Sequence, residues 1–444
     1  MIMKKIFFCI ALTCSMVIAY SQANVLPAPA QKGSTVITNA TVHTGNGQVI
    51  ENASILITDG KIASIGSNIT IPAGATTVDA KGKQVYPGII LPVSNLGLVE
   101  ISAVRASSDV QEIGEMNPNI RSIVAYNADS KVINTLRSNG ILLANIVPQG
   151  SFLAGTSSVV QLDAWNWEDA AYKTDEGMHF YMPSLLARPR FGFGGGGRFG
   201  PQQQPQTDPV KEGLDKIEKL KSFFREAKSY LAESTHKETN LKFESVKKLF
   251  DKTQKFYVHA NTVKQLLIAL DFVKEFNFDV VIVGGSDSWQ IADLLKQNNI
   301  AVVLGQSHSL PTLDDDDVDQ PYKTAAMLQK AGVLFSISDD DGQTRGRNIA
   351  FNAGTASTYG LTKEEALQAI TLNAAKILGV SDKTGSIEVG KDANIIISDG
   401  DILDMRTNNV TDAFIQGRKI NLDDKQKQLF ERYNEKYNLK AKPF

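Results

Sequence analysis

The chain has 444 residues and 42% hydrophobic content, enough for one large domain and a smaller one. Its 46 Lys+Arg and 48 Asp+Glu side chains nearly cancel, so the charge selects neither nucleic acid nor an anionic membrane surface as partner. Both cysteines, Cys9 and Cys14, lie near the N-terminus, which leaves the rest of the chain without disulfide or thiolate chemistry.

Lys4 and Lys5 precede an apolar run over residues 6–20, and small residues follow at Ala19, Ser21 and Ala23. This is the layout of a secretory signal peptide over residues 1–23, and it predicts a secreted or periplasmic product. Thr13 before Cys14 makes a poor lipoprotein box, so a soluble product is expected over a lipid-anchored one. No later segment is expected to span a membrane.

Residues 34–79 read as short alternating strands, with Asp59-Gly60 as a hairpin turn between two of them. The stretch Gln84-Val-Tyr-Pro-Gly-Ile-Ile-Leu-Pro-Val-Ser-Asn95 breaks at Pro87-Gly88 and resumes as a strand, a hinge between two architectures. Residues 121–139 have a helical pattern, followed by a strand over 141–147. Residues 150–157 are polar and glycine-containing, and predict a loop that could line a pocket. Residues 208–248 form charged amphipathic helix in one or two pieces. Strands at 255–259, 279–283, 300–304 and 333–338 then alternate with helices at 262–276, 288–298 and 324–331. That alternation predicts βαβ units and a parallel sheet, an α/β fold whose count suits a (β/α)₈ TIM-like barrel. From 385 the pattern reverts to short strands with glycine turns. The expected organisation is therefore a composite β-sandwich domain from residues 34–88 plus 384–422, with the barrel, residues 89–383, inserted. Residues 190–206 are low in complexity, either a flexible insertion or a loop with substrate contacts.

Several segments resemble the amidohydrolase superfamily, in its imidazolonepropionase-like branch. They are Asp79-Ala-Lys-Gly-Lys-Gln-Val-Tyr-Pro-Gly-Ile-Ile, Val258-His-Ala-Asn-Thr, Asp279-Val-Val-Ile-Val-Gly-Gly, Leu361-Thr-Lys-Glu-Glu-Ala-Leu-Gln-Ala-Ile-Thr-Leu-Asn-Ala-Ala-Lys-Ile-Leu-Gly and Gly385-Ser-Ile-Glu-Val-Gly-Lys-Asp-Ala-Asn. The resemblance spans residues 34–422. It implies a metal-centred barrel that hydrolyses C–N bonds of cyclic amides or dipeptide-like compounds, using a divalent ion, zinc above others, to activate water. Mapped residue by residue, the family's His-x-His falls on Val93-Ser94-Asn95, its next histidine on His259, the following one on Gly284, and its terminal aspartate on Asp339 or Asp340. The site is thus expected to be degenerate, or rebuilt from His259, His308 and Asp339 as metal ligands, or without metal altogether.

Within that frame Asp339 and Asp340 are the candidate acid/base carboxylates. Asn95 is a candidate substrate contact. Arg345 and Arg347 either clamp a substrate carboxylate or pair with the neighbouring aspartates. His43 and His179 read as incidental, and His236 as solvent-facing. The run from Asp314 to Asp317, with Asp319, is either a calcium loop or, as expected, a solvated acidic one. No Gly-x-Ser-x-Gly elbow marks a serine hydrolase. Two functions follow. One is a C–N hydrolase of small amides or peptide-like molecules. The other is a catalytically inactive relative that binds a ligand or serves as a partner subunit. The expected partners are a small-molecule amide or peptide-like substrate and, in assembly, a homo-oligomer or a hetero-oligomer with an active amidohydrolase.

Overall fold

The computed structural model describes residues 25–186, 208–233, 235–339 and 345–439. The expected signal peptide, the low-complexity stretch and Asp340 lie outside them.

The N-terminal strands are β1 (Thr35–His43), β2 (Val49–Thr58), β3 (Lys61–Gly66), β4 (Thr76–Asp79) and β5 (Gln84–Pro87). In β2 the residues alternate strictly, with Ala53, Ile55 and Ile57 buried and their neighbours half-exposed, as a one-sided strand requires. The β2–β3 hairpin turns at Asp59 and Gly60, both with positive φ (50° and 77°), the pairing a tight two-residue turn selects.

A second sheet follows in sequence order: β6 (Ile89–Ser94), β7 (Ile141–Ile146), β8 (Leu153–Gln161), β9 (Ala171–Tyr181), β10 (Lys255–Ala260), β11 (Val280–Gly284), β12 (Ala301–Leu304) and β13 (Phe335–Ile337). Its edge strands approach each other, and the hydroxyl of Ser338 donates to the carbonyl of Val93 at 3.4 Å. This nearly closed eight-stranded sheet fits a TIM-like barrel. It departs from the regular (β/α)₈ pattern at one place: β8 runs antiparallel to both β7 and β9, whereas the other neighbours are parallel.

The expected loop at 150–157 is therefore largely strand. Its small residues serve close packing rather than flexibility. At Gly155 (φ 115°) a Cβ would sit 2.5 Å from the carbonyl oxygen of Ile120, and Ser157 and Ser158 are fully buried. Ser158 accepts the amide of Asp175 at 2.9 Å, so its hydroxyl is satisfied inside the sheet.

The helices are α1 (Lys131–Ser138), α2 (Pro209–Ala232), α3 (Val263–Phe276), α4 (Ala292–Gln297), α5 (Gln320–Ala331), α6 (Ile349–Thr358), α7 (Lys363–Ile370), α8 (Leu372–Ile377) and α9 (Lys425–Tyr437). The helical pattern at 121–139 resolves into a short 3₁₀ turn, Ser122–Ala125, and α1. The long charged stretch after residue 208 is α2 followed by two single turns, Leu241–Ser245 and Lys247–Phe250. Phe224 of α2 packs edge-on against Phe256 of β10 and against Phe272 of α3, with centroids 5.6 and 6.2 Å apart. That aromatic cluster seats α2 and α3 against the barrel wall. Among the described residues no helix is long and apolar enough to cross a membrane.

The chain ends in β14 (Ile395–Ser398), β15 (Val410–Ile415) and β16 (Arg418–Lys419). β14 pairs antiparallel with β5, so strands from both ends of the chain share one sheet, in the order β16-β15-β14-β5-β1-β2-β3 with β4 beside β1. Their common core includes Ile37, Val42, Ile55, Val85, Ile395 and Phe414. The two sheets meet at Asp163, just after β8. Its buried carboxylate accepts from Arg137 of α1, from Arg418 of β16 at 2.9 Å, and from the amide of Ala28 at 2.9 Å.

Candidate functional site

A cavity of about 400 Å³ opens at the carboxyl ends of β10, β11 and β12. This is the face of a barrel on which strand ends and following loops bring side chains from several elements together. Tyr181, His259, Asn261, Gln265, Ser307 and Asp316 are among its walls. Gln265 is fixed by its place in the first turn of α3. Its Oε1 accepts the amides of Asn261 and Thr262 (3.0 and 3.1 Å), and its amide group donates to the carbonyl of Pro183 at 3.0 Å.

His259 lies near the end of β10, in register with Tyr181 of β9 and Val283 of β11. Its ring stacks on Tyr181 with centroids 3.8 Å apart, and its Nε2 is 3.0 Å from Nδ1 of His179 on β9. His179 is fully buried and stacks on Tyr257 at 4.8 Å. Burial holds His259 down to about 3 and His179 well below its ordinary value, so both rings are neutral at neutral pH. In such a pair one imidazole donates its N–H and the other accepts it. Below them on β9 stands Glu176, also buried. Burial pushes its carboxyl up to about 7, against the opposing pull of Lys255 and Lys173. Those lysines spend their hydrogens on the carbonyls that end α8. Lys255 donates to Lys376 and Ile377, and Lys173 to Leu378 and Gly379.

Of the residues singled out from sequence, His259, Gly284 and Asp316 line the cavity, and Asp339 does not. Asp339 is buried just past β13, where the amide of Asn352 on α6 donates to it at 3.3 Å. The Oδ1 of the same Asn352 accepts the amides of Ser307 and His308 (2.9 and 3.4 Å), so one side chain ties the β12 loop to Asp339. Asn95 is half-buried and donates to Gln149 at 3.4 Å, while its buried Oδ1 has no hydrogen-bond partner among the described residues. His308 is exposed, with Nε2 2.7 Å from the hydroxyl of Thr355, and is not part of the cavity wall. Arg345 and Arg347 are exposed on the turn before α6 and are likewise absent from that wall. In the acidic loop Lys323 pairs with Asp317 and Asp319 at 3.2 and 2.7 Å, an ordinary solvated arrangement.

A catalytic divalent ion such as zinc needs three protein donors. Among the described residues no three His, Cys, Asp or Glu side chains converge to hold one. Val93 offers no donor. Gly284 has no side chain, and its backbone (φ 97°) would place a Cβ 2.3 Å from Oδ1 of Asn261. The donor set of the described residues does not fit the ion the resemblance implies.

Composition hides β9, and with it any role for His179 and Glu176. Its first half, Ala-Tyr-Lys-Thr-Asp-Glu, is polar and masks the strand. The signal that could have exposed it is the run Met178-His-Phe-Tyr-Met182, apolar and aromatic around a single histidine, immediately before Pro183.

Comparison with known proteins supplies the context. The amidohydrolase family's sequence model matches residues 195–420. An imidazolonepropionase of Mesorhizobium japonicum is 23% identical over 375 residues, covering 79% of this chain and 87% of that protein. One from Thermoplasma volcanium is 37% identical over 100 residues, a match that spans 25% of that protein's length and 22% of this chain. Among solved structures, an amidohydrolase from Thermotoga maritima superposes with a TM-score of 0.73 at 25% identity, over 87% of this chain and 99% of the other. A prolidase in complex with N-methylphosphonate-L-proline shares the fold at a TM-score of 0.53 and 16% identity, over 87% of this chain and 99% of the other.

Proposed function

The chain belongs to the amidohydrolase family, in its imidazolonepropionase-like branch, and from that premise we propose that it hydrolyses C–N bonds of small amide or dipeptide-like molecules at a rebuilt site. The observation that carries this reading is the cavity at the strand ends, in which His259 stands among amide and hydroxyl side chains. A neutral imidazole orients a polar substrate or water by hydrogen bonding. A pKa of about 3 makes it a weak proton acceptor at neutral pH. The base role we assign to Asp339, which lies outside the described cavity wall and is tied to its Ser307 through Asn352. No step is assigned to a metal.

The mismatch at Val93 and Gly284 favours a second reading, a non-catalytic relative that binds its ligand without turning it over. A panel of amides and dipeptides, assayed with the purified protein and its metal content, separates the two. Turnover that disappears in both Asp339→Asn and His259→Ala, with the fold retained by circular dichroism, supports the hydrolase. Saturable binding without turnover of any compound points to the binding protein. A stoichiometric metal lost in His259→Ala would overturn the metal-free site.

We also propose export, on the pattern of residues 1–23. N-terminal sequencing of the protein recovered from the cell envelope or medium tests it, and an intact Met1 there would sink the idea.

A further inference from the structure

The cavity beside His259 has a charge of one sign. Among its described lining residues there is no Lys or Arg, and the single carboxylate is Asp316, half-buried in the loop after β12. One of its oxygens caps that loop by accepting the amide of Leu313 at 3.1 Å. Beside this wall stands a second carboxylate, Asp287, only 3% exposed. Its Oδ2 accepts the amide of Val263 at the start of α3, at 3.2 Å, and its Oδ1 has no hydrogen-bond partner among the described residues. Burial, and then the charge of Asp316, push the Asp287 carboxyl upward, against the amide of Val263 and the side chain of Thr312, which pull it down. Thr312 itself lines the cavity.

A buried carboxylate oxygen left without a donor is costly, and two carboxylates facing one another add to the cost. Both costs fall if a bound group brings hydrogen-bond donors and a positive charge. The nearby cation, Lys323, pairs with Asp317 and Asp319 instead. A carboxylate-bearing ligand would meet Asp316 with no Lys or Arg in the described wall to receive it.

We propose that the cavity takes a small amide that carries a protonated amine, which pairs with Asp316 and lies towards Asp287. The rest of the ligand extends along Tyr181 and Met182 to His259, whose neutral ring faces the amide end. This rests on the cavity being the substrate site. It names the substrate class there: amine-bearing amides, in preference to N-blocked or acidic ones.

Calorimetric titration of the full chain tests it with two side-chain series that differ in charge, the blocked forms carrying an added acetyl group. These are glycinamide and leucinamide as cations, their N-acetyl amides as neutral forms, and N-acetylglycine and N-acetylleucine as anions. At about pH 6.5 the amines carry their protons. At least one amine should bind roughly tenfold or more tighter than its acidic counterpart. That preference should vanish in Asp316→Asn, whose amide oxygen can still accept from Leu313, and persist in Asp314→Asn at an exposed position of the same loop. The proposal fails if no amine binds, if anions bind as tightly, if the preference survives Asp316→Asn, or if calcium alone saturates the same wall. Turnover followed in the same samples keeps the two readings apart. An amine preference without hydrolysis sinks only the hydrolase, whereas hydrolysis of the N-acetyl amides without amine preference sinks only this inference.

Discussion

Two buried polar groups of this molecule are built in opposite ways. At the join between the sheets, Asp163 is enclosed by Arg137, Arg418 and the amide of Ala28, and each element it touches is fixed by it. Inside the barrel, neither oxygen of Glu176 makes a well-formed hydrogen bond among the described residues, since the hydroxyl of the adjacent Tyr257 donates to the carbonyl of Ile377 at 3.2 Å, and His179 has none at Nε2. Burial costs are similar in kind at both places, yet only the first is offset by partners. The first group is architecture. The second carries its penalty on β9, whose His179 contacts the cavity's His259, and unsatisfied polar groups near such sites are often retained for a purpose other than stability.

That contrast can be broken experimentally. The largest effect is expected from Asp163→Ala, which strands Arg137 in the interior. Denaturant titration should show a loss of roughly 3–5 kcal/mol, and a loss below about 1 kcal/mol would mean the join is not held there.

Glu176→Gln should act in the opposite direction. The carboxyl is protonated in both folded and unfolded states below about pH 4.5 and costs nothing extra there. As pH rises, the unfolded chain ionises first while the folded one keeps its proton until about pH 7. Stability therefore falls between these values and stays lower above them, by roughly 3 kcal/mol at about 1.4 kcal/mol per pH unit. The variant should lack that decline and be the more stable protein at pH 8. The histidine pair has the reverse sign. Its pKa values are depressed, so its contribution grows as pH rises from about 3 to 6.5, in both proteins.

A smaller change is expected from His179→Leu. It replaces a half-satisfied imidazole by an apolar side chain, and stability should move by only about 1 kcal/mol. Ligand binding at His259 should weaken more than stability does, because the ring loses the partner that sets its orientation. Equal losses would make His179 a packing residue only.

The strands from β10 to β13 were legible in the sequence because their apolar runs are bounded by helices with clear periodicity, as in Val280-Val-Ile and Ala301-Val-Val. The hairpin at Asp59-Gly60 was equally plain. The β8–β9 pair was not. Gly155, Ser157 and Ser158 look like a loop by composition, and only the neighbouring backbone at Ile120 explains why small residues stand there. The site was legible in part for the same reason. His259 sits in a recognisable strand, while His179 and Glu176 sit in the one that composition disguised. Arg345 and Arg347 were attractive by proximity along the chain, but a turn faces both outwards.

Gly284 is closed to side chains. A histidine placed there would meet Oδ1 of Asn261 with its first carbon and would require a backbone conformation that side chains rarely adopt. Asn261 in turn accepts the hydroxyl of Ser286 at 3.2 Å. Gly284→His alone should therefore lower the melting temperature and bind no more metal than the parent protein. A side chain at 284 would need Asn261 to change with it, so the two positions are coupled and no single substitution at 284 seats a metal ligand there.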